Sequence, residues 1–324
     1  MQIKILVTGA NGFLGSVIVR NALEAGFNVF ATDLGKVARV QESNYFSADI
    51  LDPQKFVSNL SKTDVIIHAA GMAHVFDALA QDPNLFRKVN ATGAANVARA
   101  AVEAGVGHFI LVSSVSVYGG SRNGGGEASG CYPIGPYAES KYEGENLVAD
   151  IAVKAGMKLT ILRMATLYGE GDPGNVARLI RAIDLGRFIW IGNGMNRKSL
   201  LHKEDAARAS LEVAKTPASG IQVYNVAAIP SSMREVVENL AEALGKRIPG
   251  ITVPASLAGG IASMFSKLPW DRTESLGMTL KKWLADDVYD GEKFNRTFNF
   301  KAKVDLKEGL RQEVFWYRNE REKK

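Results

Sequence analysis

Apolar and polar positions alternate along this chain in blocks of two kinds. Short runs of β-branched and large apolar residues at Ile3–Val7, Asn28–Ala31, Val65–His68, His108–Ser113 and Leu159–Arg163 read as strands buried on both faces. Between them, apolar residues recur at helical spacing over Gly15–Ala25, Asn84–Ala104 and Pro136–Ala155. Gly26, Gly105 and Gly156 stand just past those segments, as stop signals. Strand–helix alternation at this spacing predicts an α/β fold with a doubly wound parallel sheet.

After about residue 170 the pattern loosens. Helical periodicity over Val176–Leu185, Lys203–Ala214, Met233–Leu244 and Lys307–Arg318 mixes with short strands such as Gln222–Val226. This predicts a sheet domain over 1–170 and a smaller, mixed α/β C-terminal lobe over 171–324 at the carboxyl edge of the sheet, where ligands bind in such folds. No Ser/Pro linker separates the two, so the chain is expected to cross between them more than once.

Composition removes whole classes of function. With 46% hydrophobic and 23% charged residues the chain reads as an ordinary soluble globular protein. The formal charge of +5 is spread without a Lys/Arg run, which argues against a nucleic-acid surface. Cys131, the single cysteine, excludes an intramolecular disulfide and fits a reducing cytoplasm, and four histidines without ligand spacing predict no metal site. The first residues run straight into a Gly-rich turn, which predicts no secretory signal. The uncharged stretch Ile248–Ser266 has the length of a membrane span, but Pro249, Gly250, Pro254, Gly259 and Gly260 interrupt it.

Chemistry enters at the first turn. Thr8-Gly9-Ala10-Asn11-Gly12-Phe13-Leu14-Gly15 lies between a strand and a helix, where glycines let the backbone approach a pyrophosphate at a helix N-terminus. Asp33 ends the second strand, placed to accept hydrogen bonds from an adenosine ribose diol and to repel a 2′-phosphate. Together these predict a Rossmann-type site for NAD in preference to NADP, with Lys36 and Arg39 keeping NADP open. Tyr137 and Lys141 stand four apart on a helix, so phenol and ammonium share a face. A nearby ammonium and the positive charge of an oxidised nicotinamide both favour phenolate, bringing the tyrosine toward base strength. Ser113 and Ser114 end a buried strand at the same edge of the sheet.

With these motifs the sequence resembles an extended short-chain dehydrogenase/reductase of the sugar epimerase/dehydratase family, over nearly its whole length. Besides Gly9, Gly12, Gly15 and the Tyr137/Lys141 pair, the resemblance rests on four further segments. They are Ala48-Asp49-Ile50, His68-Ala69-Ala70-Gly71, Asn90 in Val89–Gly93, and Leu162–Gly169. It implies cofactor contacts at Gly9, Asn11, Gly12, Phe13, Leu14, Asp33, Asp49, Ile50, Ala69, Ala70, Gly71, Asn90, Tyr137 and Lys141. Ser114, Tyr137 and Lys141 are then the catalytic group. Ser114, Ser116 as a helper, Thr166, Asn175, Arg197, Lys198 and Lys281 are the substrate contacts. His74 occurs in a subgroup acting on sugars of bacterial surface polysaccharides.

Departures from the family pattern lie on the substrate side. Lys198, preceded by Arg197, and Lys281 or Lys282 stand where relatives often carry diphosphate-binding arginines, and lysine lacks the bidentate fork. Thr166 replaces a frequent asparagine, and Val115-Ser116 replaces the Asp-Glu of the dehydratase branch. The resemblance therefore implies an NAD-dependent 4-epimerase of a nucleotide-diphosphate sugar. Alternatives are an NAD(P)H-dependent reductase of a nucleotide 4-keto-6-deoxy sugar, an epimerase of an undecaprenyl-diphosphate-linked sugar, and a non-catalytic dinucleotide sensor. A homodimer through Asn84–Ala104 and Pro136–Ala155 is also implied. From Pro254, Leu257, Ile261 and Leu268 recur at helical spacing, either packing over the substrate cleft or lying peripherally on a membrane surface.

Overall fold

A computed structural model of the chain describes residues 2–41, 43–52, 60, 63–73, 83–120, 125–216, 219–248, 250, 252–254 and 284–322. The strands are β1 (Lys4–Thr8), β2 (Asn28–Asp33), β3 (Asn44–Ser47), β4 (Val65–His68), β5 (His108–Ser114), β6 (Lys158–Met164), β7 (Thr166–Tyr168), β8 (Trp190–Ile191), β9 (Arg197–Lys198), β10 (Leu200–His202), β11 (Ile221–Val226), β12 (Ser231–Ser232) and β13 (Thr252–Val253). Seven of them form one sheet in the order β11-β6-β5-β4-β1-β2-β3, parallel throughout. The strand order reverses between β1 and β4, so a crevice opens there beyond the carboxyl ends, at Thr8, Asp33 and His68.

Each face of the sheet is covered by helices, which is why β4 and most of β1 and β5 are buried. On one face, helices Gly15–Glu24 and Lys203–Lys215 pack with Val7, Ile67 and Leu162. On the other, Ala94–Glu103 and Pro136–Ala155 pack with Leu6, Ile66 and Phe109. A third cluster joins helices Asn175–Asp184, Met233–Leu244 and Leu306–Glu322 around Trp190 and Leu200. The second half therefore builds its own small core while returning β11 and Lys203–Lys215 to the first.

Three elements differ from their sequence expectation. The segment read as one helix over Asn84–Ala104 begins with Pro83–Phe86 and passes through a π-helical turn, Arg87–Gly93, before Ala94–Glu103. Its wider turn carries Asn90 close against Pro136–Ala155, where a Cβ on Gly144 would stand 2.7 Å from the Asn90 carbonyl oxygen. Strand β3 went unread because it is a four-residue edge strand with two exposed positions. Helix Glu292–Phe298 fully buries one side chain, Phe294, which meets Tyr224, Phe298 and Phe300 edge-on or tilted. Among the described residues no helix is long and apolar enough to cross a membrane. His74, Lys281, Lys282 and the apolar positions from Leu257 to Leu268 lie outside the described residues.

Candidate active site

At the crevice the backbone turns so tightly that side chains are excluded. Gly9 has φ +68°, and a Cβ there would lie 2.6 Å from the Ala70 amide; one on Gly15 would lie 1.9 Å from the Gly9 carbonyl oxygen. Helix Gly15–Glu24 then starts with Leu14 at its N-cap, with no side-chain acceptor and no acidic residue in its first turn. The Ser16 and Val17 amides donate to the Gly12 and Leu14 carbonyls, and no carboxylate competes with an anionic ligand for the positive end of the helix. A cavity of about 460 Å³ beside this turn is lined by Gly9, Asn11, Gly12, Asp33, Asp49, Ile50, Ala69, Ala70 and Gly71. The Asp33 carboxylate is steered by the Asn11 and Leu34 amides at 2.9 and 2.7 Å. Asn11 is itself anchored, accepting from the Arg39 amide at 2.8 Å. The exclusion of Cβ atoms, the uncontested helix end and the oriented Asp33 fit an NAD: pyrophosphate on the turn, adenosine ribose on the carboxylate.

A second cavity, about 320 Å³, shares Gly12, Ala69, Gly71 and Met72 with the first and continues to Ser114, Ser116, Tyr137, Lys141, Thr166 and Asn175. Phe13 and Leu14 line it too. Pro136 starts its helix at the first position, after Gly135 at φ +86°, and this sets Tyr137 at the mouth. The Tyr137 phenol and the Ser114 side chain line this cavity together, and Phe86 meets the Tyr137 ring edge-on at 6.3 Å. Burial pushes the phenol above its ordinary range, and the neighbouring Ser114 side chain opposes that. The Lys141 ammonium, expected to lower it, is not among the groups that shift it in the protein alone. That ammonium donates to the Val112 carbonyl at 2.6 Å, and burial pushes it down to about 8, with Glu145 opposing. It lies 3.8 Å from where a Cβ on Gly71 would stand, hence under the end of β4.

Asn90 does not line either cavity. Its side chain brackets Met72, accepting from its amide at 2.7 Å and donating to its carbonyl at 3.0 Å, and it also donates to Ser140 at 2.9 Å. It therefore ties the end of β4 to the helix of Tyr137. Beneath it, His68 pairs with Thr8 at 2.8 Å and is pushed down to about 3 by burial and by Lys141, so it stays neutral.

A buried polar network unread in the sequence runs under the floor. Glu145, one turn beyond Lys141, accepts from Ser113 at 2.5 Å and pairs with Arg163 at 2.6 Å, both partners being almost fully buried. Arg163 reaches the Tyr118 hydroxyl at 2.9 Å, which donates to Asn225 at 2.8 Å. The signal was present: Tyr137, Lys141 and Glu145 repeat at four-residue spacing. Arg197 and Lys198 are not brought to the cavity. Arg197 is exposed and donates to the Pro230 carbonyl, and Lys198 donates to Ala285. Instead Asp172, Asp287 and Tyr289 line it, none of which was anticipated. Among the described residues no cluster of His, Cys, Asp and Glu has the makings of a metal site.

Known proteins resemble this chain over most of its length. Residues 5–227 match the NAD dependent epimerase/dehydratase family. The chain is 29% identical, over 96% of its length and 94% of the relative, to an N-acetyl-alpha-D-glucosaminyl-diphospho-ditrans,octacis-undecaprenol 4-epimerase of Escherichia coli O157:H7. It is 29% identical, with the same coverage, to a UDP-glucose 4-epimerase of Vibrio cholerae. The structure of MoeE5 in complex with UDP-glucose and NAD superimposes with a TM-score of 0.78 at 27% identity, covering 98% of this chain and 99% of that one. The chain belongs to the NAD dependent epimerase/dehydratase family, and its cofactor is NAD.

Proposed function

We propose, with membership of that family as the premise, that this protein is an NAD-dependent 4-epimerase of a nucleotide-diphosphate sugar in surface polysaccharide biosynthesis. The observation that carries it is the convergence of Ser114, Tyr137 and Lys141 on one cavity, where the carboxyl ends of β4 and β5 meet the glycine turn. When bound, NAD supplies the hydride acceptor and donor and brings a positive charge into the cleft. Ser114 holds the C4 oxygen and passes its hydrogen bond between that oxygen and Tyr137. Tyr137 takes the C4 hydroxyl proton and returns it once the 4-keto sugar has turned over in the cavity. Lys141 anchors the cofactor ribose, within reach of Gly71 and the end of β4. Ser116, whose hydroxyl is buried without a partner among the described residues, is a further donor for the sugar. Thr166, at the end of the first domain, and Asn175, in the second lobe, line the same cavity and contact the sugar.

The reading divides the chain into an NAD-binding domain over 1–170 and a substrate lobe over 171–324. It carries a cytoplasmic location and a homodimer through helices Ala94–Glu103 and Pro136–Ala155. Their outward side chains include Arg99, Asn146 and Asp150 beside Val102 and Val153, so the seam would mix polar and apolar contacts. Contact with a membrane surface would accompany a lipid-linked sugar. The test is mass spectrometry of ligands released from the purified protein, followed by turnover of UDP-glucose and UDP-N-acetylglucosamine without added cofactor. Retained NAD and interconversion of 4-epimers are expected. Strict dependence on added NAD(P)H with a 4-keto sugar would replace this reading by the reductase.

A further inference from the structure

The sugar end of the cleft has an unusual charge balance. Among the described residues that line it, Lys141 is the one cation, and Asp172 and Asp287 are the carboxylates. Lys141 is engaged by Val112. Asp172 is engaged as well: its two oxygens accept from the Gly174 and Ala177 amides at 2.7 and 3.1 Å, capping helix Asn175–Asp184. Asp287 differs. One of its oxygens accepts from the Tyr289 hydroxyl at 2.6 Å, and the residue, which lines the cavity, is only half-buried.

This carboxylate is held on a rigid strap. The Asp287 amide donates to the Arg197 carbonyl, and its own carbonyl accepts from the Ser199 amide, both at 2.8 Å. The Tyr289 amide donates to the Ser199 hydroxyl at 3.1 Å. The buried Tyr289 ring stacks on Tyr118 at 5.9 Å, which joins the strap to the network under Ser113. Burial and the neighbouring Asp287 push the Tyr289 phenol upward, so it remains a donor to that carboxylate.

We propose that Asp287 is a specificity-determining residue that selects neutral sugars and rejects sugars bearing a carboxylate. This rests on the sugar reading above and narrows it. A fixed, partly desolvated carboxylate accepts hydrogen bonds from sugar hydroxyls or an acylamino N–H. A uronate would instead bring a second negative charge against it in a cleft whose one cation, among the described residues, is already engaged. Like charges at a partly buried site interact far more strongly than in bulk water, so the repulsion acts as discrimination.

The experiment is calorimetric binding of UDP-glucose and UDP-glucuronate to the NAD-loaded protein, in wild type, Asp287→Asn and Asp287→Ser. Wild type is expected to favour the neutral sugar by about 100-fold in Kd, on the scale of like-charge juxtaposition at an interface. Asp287→Asn keeps an acceptor for Tyr289 and removes the charge, and the preference should shrink by roughly tenfold or more; Asp287→Ser should do the same. Equal affinity of the wild type for both sugars, or a preference untouched by both variants, overturns the proposal. UDP-glucose turnover is read in the same samples. A wild type that binds the neutral sugar selectively yet never epimerises it sinks the epimerase reading and leaves the selection by Asp287 standing.

Discussion

The cofactor side of the cleft is assembled from the carboxyl ends of neighbouring parallel strands, whereas the substrate side is assembled from segments distant in the chain. On the first side, Gly9, Asp33, Ala69 and Ser114 each end or directly follow a strand of the sheet. On the second, the loop after β7 meets a strap at Asp287–Tyr289 that pairs with β9, and helix Leu306–Glu322 supplies Glu313 to the Gly169 amide at 3.0 Å. The first side inherits its geometry from strand pairing and helix spacing. The second exists once three separate segments have docked. Substitutions on the cofactor side should therefore act on the rate of reaction, and those on the substrate side on selection and stability.

The largest effect tests the first half of that contrast. Tyr137→Phe removes the acid–base hydroxyl and keeps the ring that meets Phe86. Epimerisation is expected to fall by about 10²- to 10⁴-fold, the usual contribution of a positioned acid–base group. Retained NAD and the melting temperature should stay close to wild type. A variant that lost NAD as well would make Tyr137 part of the scaffold, and the separation of rate from architecture would fail.

What the sequence made legible follows the same line. Asp33, Ser114, Tyr137 and Lys141 could be placed because each is fixed by a local rule: a strand end, a helix start, a four-residue repeat. The four-residue repeat extends to Glu145, but a glutamate on a helix is usually solvated, and only the burial of Arg163 beside it marks a different role. Strand β3 lacks a periodic pattern because an edge strand of four residues needs none. On the substrate side the resemblance pointed to Arg197 and Lys198, whose side chains turn to Pro230 and Ala285. Asp287 and Tyr289 had no sequence signal, because their position in the cleft depends on pairing between distant segments, from Lys198 to Asp287. Lys281 and His74 lie outside the described residues.

Glu145 sharpens the comparison, since it stands under the cofactor side yet connects through Arg163 and Tyr118 to Asn225 of β11. Glu145→Gln leaves the Arg163 guanidinium buried without its counter-charge. Removing one partner of a buried pair costs about 3–5 kcal/mol, which denaturant unfolding would read directly. The carboxylate also raises Lys141 against the burial that brings it down to about 8. Without it, the ammonium should be lost at a lower pH, and the alkaline limb of the activity profile should move toward neutrality. An unchanged limb in a destabilised variant would reduce Glu145 to a purely structural pillar.

The smallest effect belongs to the substrate side. Burial, reinforced by Asp172, holds the Glu313 carboxyl well above the ordinary carboxylate range, and the hydrogen bond from the Gly169 amide only partly opposes this. One of its oxygens is buried without a partner among the described residues. The unfolded chain releases this proton near pH 4.5, while the folded protein keeps it to higher pH. Its contribution to stability is therefore fully present below about pH 4.5 and is lost as pH rises toward the folded value. In the Glu313→Gln variant the amide side chain keeps an acceptor for the Gly169 amide and has no proton to release. This variant should match wild type near pH 4 and melt higher at pH 8, by about 1.5 °C for each kcal/mol recovered, given an unfolding entropy of about 2.1 cal/mol/K per residue. Calorimetry at the two pH values reads the difference, and asymmetry between them is the signature. A gap that is equal at both pH values would mean that the carboxyl does not titrate differently on folding, and that the clamp on Gly169 acts through packing alone.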